Sequence, residues 1–313
     1  MPALVTTETE YNTLSARVSA LEAGGVPSGG GIPNHFKCIY DYGAVGDGVA
    51  DDTVAYNNFI TALNNDPKKR TGYLASGLFR LSAQPVAPRY GVNLIGDSVS
   101  TCALIRDYNG VAGVGLLDIR ENGISARNFG IQSAPNRTGG SAISIVSSAT
   151  YSCSFVTIED MYLTSQGNNT WDNTIWIDGT AKTTPATGAR DLAFRNVNVF
   201  GANGYSVYAR GAQGWTWYGG GIFPASGTNA ASGGLLITGT TAVPSVQVRM
   251  DIVSVAGINL TQCNDVRIEA SRIGALAGVS INNDSTAADC RVIGEVSGTV
   301  AANWTQQSSY TEN

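Results

Sequence analysis

The sequence predicts an all-β protein wound as a parallel solenoid, on three observations. Beyond residue 90 it holds no long amphipathic helix, only short alternating apolar runs punctuated by Gly, Asn, Asp and Ser. Those runs share one local frame, a first apolar residue followed by others at offsets of two, five and seven. The frames start at 92, 124, 156, 192, 215, 246 and 266, so their separations of 32, 32, 36, 23, 31 and 20 vary while the frame does not. Strands held in register and joined by loops of variable length behave this way when coil stacks on coil. A β-sandwich would also supply many short strands, but with turns at steadier intervals of about 8–12 residues.

The frame is met in full by Ile124, Ala126, Phe129 and Ile131, by Val156, Ile158, Met161 and Leu163, and by Leu192, Phe194, Val197 and Val199. Three later copies carry Gly, Asp or Ser in the third slot: Trp215, Trp217, Gly220, Ile222; Val246, Val248, Asp251, Val253; and Val266, Ile268, Ser271, Ile273. Val92, Leu94, Asp97 and Val99 read as a degenerate earlier copy. The polar intruders make the third slot the least buried of the four. Eight or nine coils at about 4.8 Å each would give a rod of roughly 40 Å.

The chain has 313 residues, 43% of them hydrophobic, with 19 Lys plus Arg against 24 Asp plus Glu. That is enough apolar content for a real core and too little charge for a disordered chain. The net charge of −5, without a basic block, argues against nucleic acid as a partner. A single His, His35, leaves no basis for His metal sites or Ser-His chemistry, and it reads as a surface residue. Cys38, Cys102, Cys153, Cys263 and Cys290 are dispersed, without a CxxC pair, and read as free thiols. Cys153 and Cys263 each precede a frame start by three residues, but the intervening coils put them out of disulfide reach. No apolar run reaches about 18 residues, so no membrane insertion is expected. The opening residues lack the pattern of a secretory signal, and free thiols fit folding in a reducing compartment.

Four segments follow in order. Residues 1–23 form an oligomerisation and anchoring helix, with Leu4, Tyr11, Leu14, Val18 and Leu21 at a and d positions of one heptad frame and Thr7 the polar intruder. An amphipathic helix docked on its own domain is the competing reading. Residues 24–34, GGVPSGGGIPN, are a linker that cannot pack as helix or strand. The solenoid fills 35–300, and a polar tail runs through 301–313. The solenoid needs a lid, and Asp51, Asp52 and Thr53 open a capping helix near 52–63, Asp serving as N-cap, with Ala55, Phe59, Ala62 and Leu63 on its apolar face.

The run from Tyr40 through Gly48, YDYGAVGDG, followed by Asp51-Asp52-Thr53, resembles the opening signature of the pectate-lyase-like right-handed β-helix superfamily, in its phage tailspike branch. Residues 72–81 and 91–96 are similar to that superfamily's next coils. The resemblance implies a three-sided right-handed parallel β-helix, commonly a homotrimer in phage spikes. It gives Asp41, Asp47, Asp51 and Asp52 turn and cap roles rather than catalytic ones, and their local spacing agrees.

Polysaccharide cleavage would need two opposed carboxylates about 5–10 Å apart, or an acidic cluster with a metal and a basic proton acceptor. The catalytic candidates are Glu159, Asp160, Asp172 and Asp178, with Asp191 and with Arg190, Arg195 and Arg210 nearby. Glu159 and Asp160 alternate faces on a strand and cannot clamp one bond together. Solvated coil-surface charge is the preferred reading, so binding is expected rather than cleavage; an enzyme on this frame would be a polysaccharide-degrading hydrolase or lyase. For glycan binding the candidates are Trp171 and Trp176, in the polar stretch GNNTWDNTIW, whereas Trp215 and Trp217 occupy inward slots. No cofactor and no metal site are expected.

The expectation is therefore a homotrimeric phage virion spike, assembled in the host cytoplasm and joined to other virion proteins through its N-terminal segment. Its partner outside the particle is host surface polysaccharide. A depolymerase of capsule or lipopolysaccharide, and a head-decoration or tail-adaptor protein without glycan binding, are the alternatives.

Overall fold

The computed structural model describes residues 36–165, 171–180, 188–223, 233–239, 246–254, 257–263, 265–283 and 290–300. The heptad residues Leu4, Tyr11, Leu14, Val18 and Leu21, the 24–34 linker, His35 and the 301–313 tail lie outside the described residues. From Lys37 onward the chain is one compact unit, separate from residues 1–36.

The lid comes first. Strand β1 (Phe36–Cys38) leads into a 3-10 turn (Ile39–Tyr42), then β2 (Asp47–Asp51) and helix α1 (Thr53–Asn65). Asp52 stands at the N-cap of α1 but does not cap it with its side chain. Its buried carboxylate turns back to accept the backbone N–H of Val45 (2.6 Å) and Gly46 (3.1 Å). Asp51 instead accepts the Thr53 N–H (3.0 Å) and also the side chain of Ser82, tying helix to sheet. Ala55, Tyr56, Phe59, Ile60 and Leu63 form the buried face. The absence of a side chain at Gly72 lets that face seat on the first coil: a Cβ there would stand 2.4 Å from Phe59 Cζ.

The coils follow in order: β3 (Thr71–Leu74) and β4 (Gly77–Leu81); β5 (Asn93–Gly96), β6 (Cys102–Arg106) and β7 (Gly115–Ile119); β8 (Ser125–Arg127), β9 (Gly130–Ser133) and β10 (Ser141–Val146). Next come β11 (Cys153–Ser165) and β12 (Ile175–Asp178), β13 (Ala189–Phe200) and β14 (Tyr205–Arg210), β15 (Thr216–Phe223) and β16 (Gly233–Thr238), β17 (Val246–Ser254) and β18 (Ile258–Thr261), then β19 (Val266–Asn283) and β20 (Arg291–Val300). Among the described residues the pairings from β2 onward are parallel and fall into three stacks. One runs β3, β5, β8 and the first halves of β11, β13, β15, β17, β19 and β20. A second runs β2, β4, β6, β9 and the later parts of the long strands. The third is β7, β10, β12, β14, β16, β18 and the ends of β19 and β20.

This is the expected all-β parallel solenoid, and its inward slots form one core. Val156 and Val266 are each 1% exposed. Aligned slots are neighbours across coils: Leu94 pairs with Ala126, Ala126 with Ile158, Ile158 with Phe194, Phe194 with Trp217, and Trp217 with Val248. The rings of Phe194 and Trp217 stack at 4.8 Å.

Two backbone positions per coil set the bends. The residue before the first slot is left-handed at Gly91, Gly123, Phe155, Asp191, Gly214 and Asp265, and the one before the third slot at Asn128, Asp160, Asn196 and Gly219. Asn, Asp and Gly suit that conformation, which explains their punctuation of the strands. Side-chain amides tie neighbouring bends together, Asn196 Nδ2 donating to Asp160 Oδ1 at 2.8 Å.

Three expectations need correction. The third slot is not the least buried where an apolar residue fills it, since Phe129, Met161 and Val197 are at most 1% exposed. In the copy starting at 92, Asp97 and Val99 lie in an outward loop, and Leu104 takes the last slot by pairing with Ile131. In the copy starting at 246, Ile252 rather than Val253 stands opposite Ile222, because the ladder slips between Tyr218 and Gly221.

Candidate functional site

On the first stack, residues between the inward slots point outward, so two rows run along its outer face. One row reads Arg127, Glu159, Arg195, Tyr218, Arg249, Glu269. The other reads Thr157, Ala193, Thr216, Gln247, Arg267, Arg291. Arg127, Arg195, Arg249, Arg267 and Arg291 are all exposed, and the acidic residues within these two rows are Glu159 and Glu269. These two rows carry five cations against two anions, on a chain whose net charge is −5.

The rows converge on a shallow cleft lined by Tyr218, Gln247, Val248, Arg249, Arg267 and Glu269. Glu269 is clamped by two guanidinium groups: Arg249 Nε donates to Oε2 at 2.9 Å and Arg267 Nε to Oε1 at 2.8 Å. Hydrogen bonds from Arg249, then from Arg267, hold its carboxyl below the usual range, and the same contact raises Arg249. Tyr218, 44% exposed, donates its hydroxyl hydrogen to Gln247 Oε1 at 3.1 Å. A guanidinium carries five N–H donors, more than the clamp engages, and the Arg249 side chain is 68% exposed. The arrangement presents an aromatic face, an amide and fixed cations on a rigid sheet, a set that can hold a hydroxylated, anionic chain.

The four catalytic candidates are not brought together. Glu159 lies on this face between Arg127 and Arg195. Asp160 sits at the bend, bonded to Asn196. Asp172 accepts the Gly140 N–H at 3.0 Å in the turn before β12. Asp178, on the third stack, accepts the Thr180 N–H at 2.8 Å. Each of the last three holds a turn or a bend, which accounts for its place in the sequence. Arg190 and Asp191 pair with one another at 3.7 Å, and Arg210 stands beside Asp178 in register. Asp47 likewise holds its turn by accepting the Val49 and Ala50 N–H groups. Among the described residues no three His, Cys, Asp or Glu side chains are grouped to hold a metal ion.

Trp171 is fully buried, so the expectation that it stacks on a sugar is corrected. Its indole N–H donates to Thr164 O at 3.0 Å, and the Arg106 guanidinium covers its ring at 4.0 Å. Trp176 is half-buried on the outer face of the third stack, its ring parallel to Tyr208 at 4.3 Å. Trp215 and Trp217 are fully buried, as their slots require.

Among comparisons with known proteins, the family described as rhamnogalacturonase A/epimerase, pectate lyase-like, matches residues 36–313. The chain belongs to that family. This pectate-lyase-like chain is also similar to three solved structures. The pre-mature gene product 12 of bacteriophage phi29 is 14% identical with a TM-score of 0.50, the match covering 91% of this chain and 44% of that one. The A-module of the Azotobacter vinelandii mannuronan C-5 epimerase AlgE4 is 13% identical with a TM-score of 0.43, covering 84% and 88%. Tailspike protein 3 of bacteriophage CBA120 is 12% identical with a TM-score of 0.29, covering 97% and 68%. The likeness to the phi29 protein is one of fold alone. No curated protein matches the chain.

Proposed function

We propose that this pectate-lyase-like chain is a phage virion spike that attaches to an anionic host-surface glycan through the outer face of its first stack. The observation that carries this reading is the row of exposed arginines converging on Tyr218 and Gln247. In the first row Arg127, Arg195 and Arg249 recur at every second coil, about 9.6 Å apart on a rigid ladder, a spacing that suits a polymer repeating its own charges. Residues 1–23 act as the trimerising and anchoring segment, joined through the 24–34 linker, and the heptad spacing supports that role. The phi29 gene product places the same fold in a phage protein, which supports the virion setting. Glycan-array binding by the full chain tests the reading. Retention of carboxylated or sulfated glycans is expected, and no retention of any glycan would defeat it. Light scattering tests the trimer separately.

A polysaccharide-cleaving activity is the second reading, and the family description favours it. The outer face argues against two-carboxylate hydrolysis. Glu159 and Glu269 stand four coils apart, about 19 Å at 4.8 Å per coil, whereas glycosidases keep their carboxyl groups within about 10 Å. Product release from a bound glycan, abolished by Glu159→Gln or Glu269→Gln, would establish the enzyme instead.

A further inference from the structure

The two cysteines nearest the C-terminal end of the described solenoid face one another. Cys263 Sγ and Cys290 Sγ are 3.7 Å apart, and the Cys290 thiol also reaches Cys263 O at 3.9 Å. The two lie 27 residues apart in sequence, on consecutive coils. Cys263 is buried just after β18 and Cys290 is half-buried just before β20. A disulfide needs the sulfurs about 2.05 Å apart, an approach of about 1.7 Å, within the sweep of a side-chain rotation at Cys290. Two of the other three thiols are closed off. Cys102 and Cys153 are buried, and burial pushes each up to about 12, which keeps them from ionising.

We propose that Cys263 and Cys290 are a cross-linking pair, free while the chain folds in a reducing cell and joined once it meets an oxidising medium. The thiolate of half-buried Cys290 attacks a small-molecule disulfide, giving a mixed disulfide and releasing one thiolate. The Cys263 thiolate then attacks the Cys290 sulfur, forming the protein S–S bond and displacing the second small thiolate. Both cysteines are oxidised, the small disulfide is reduced to two thiols, and the two cysteine protons pass to those products. The pair has a mechanical use. Among the described residues β20 pairs with β19 alone. The cross-link closes the loop from Cys263 to Cys290 and resists peeling of that strand.

The test uses the full chain, purified reduced and then exposed to glutathione disulfide. Thiol titration in denaturant should fall from five groups to three. Trypsin cuts after Arg249, Arg267, Arg272 and Arg291, so the bond should appear in mass spectra as peptide 250–267 joined to 273–291. The thermal midpoint should rise by several degrees and return on adding dithiothreitol. Cys290→Ser should keep its four thiols under oxidation and show no shift. Five thiols persisting after oxidation, or a bond between any other pair, would overturn the proposal. A Cys263–Cys290 bond without a rise in midpoint would overturn its stabilising role.

Discussion

The Arg106 guanidinium lies 4.0 Å over the ring of Trp171, and both side chains are buried inside the solenoid. Arg106 also donates from Nη2 to Ser133 Oγ at 2.9 Å, and burial lowers it to about 10. The pair plugs the interior where a coil turns, and its chemistry is packing. Trp171→Ala should cost about 3–5 kcal/mol of stability, the range for removing a large buried aromatic. Glycan retention by the folded fraction should be unchanged. Urea denaturation, paired with binding at low temperature, checks both.

Why the core was legible and this pair was not has a physical answer. Every coil must present apolar residues at the same inward slots, so a repeated frame appears in the sequence however long the loops are. Ile158, Phe194 and Trp217 could be aligned by that frame alone. Trp171 belongs to no frame, and its polar neighbours suggest exposure, although the chain folds its ring inward there. The cleft posed the opposite difficulty. Solvent-facing side chains are unconstrained by packing, and Arg249, Arg267 and Glu269 become neighbours only once the coil register is known. The outward positions beside Val248 and Ile268 were readable in principle, since they alternate with aligned inward slots.

Phe155 adopts φ of +57° where equivalent bends use Gly91, Gly123 and Gly214. Its ring is 66% exposed, so little packing compensates. A left-handed conformation costs a side-chain-bearing residue about 1–2 kcal/mol, part of which glycine returns as unfolded-state entropy. Phe155→Gly should therefore stabilise the protein by about 0.5–1 kcal/mol, seen as a higher urea midpoint at unchanged slope. Destabilisation instead would mean that the ring is engaged in assembly.

Asp51 gives the lid a defined acid limit. Hydrogen bonds from Ser82, then from Thr53, hold its carboxyl down to about 2, below the ordinary value of 3.8. A depressed carboxyl contributes stability that is fully present above the ordinary value and lost as pH falls through the folded one. The urea midpoint should thus drop between about pH 4 and pH 2. Asp51→Asn should start lower and show a shallower drop across that window. An identical pH profile for the two proteins would remove Asp51 from the lid's acid response.

The clamp on Glu269 separates charge-based attachment from carboxylate chemistry by opposite signs. Removing Tyr218 or Arg249 as Ala should weaken binding of an anionic glycan about 5- to 30-fold, the range for a contact worth about 1–2 kcal/mol. Raising salt from 50 to 300 mM should weaken the parent strongly, and Arg249→Ala less so, because exposed charges are screened. Glu269→Gln removes the anion that occupies Arg249 and Arg267 while keeping its shape. Binding should then tighten several-fold if the arginines receive the ligand, since no internal carboxylate competes for them. If Glu269 itself accepts ligand hydroxyls, the same change must weaken binding, and the arginines are then its supports. Titration calorimetry on the two variants side by side distinguishes these outcomes in one experiment.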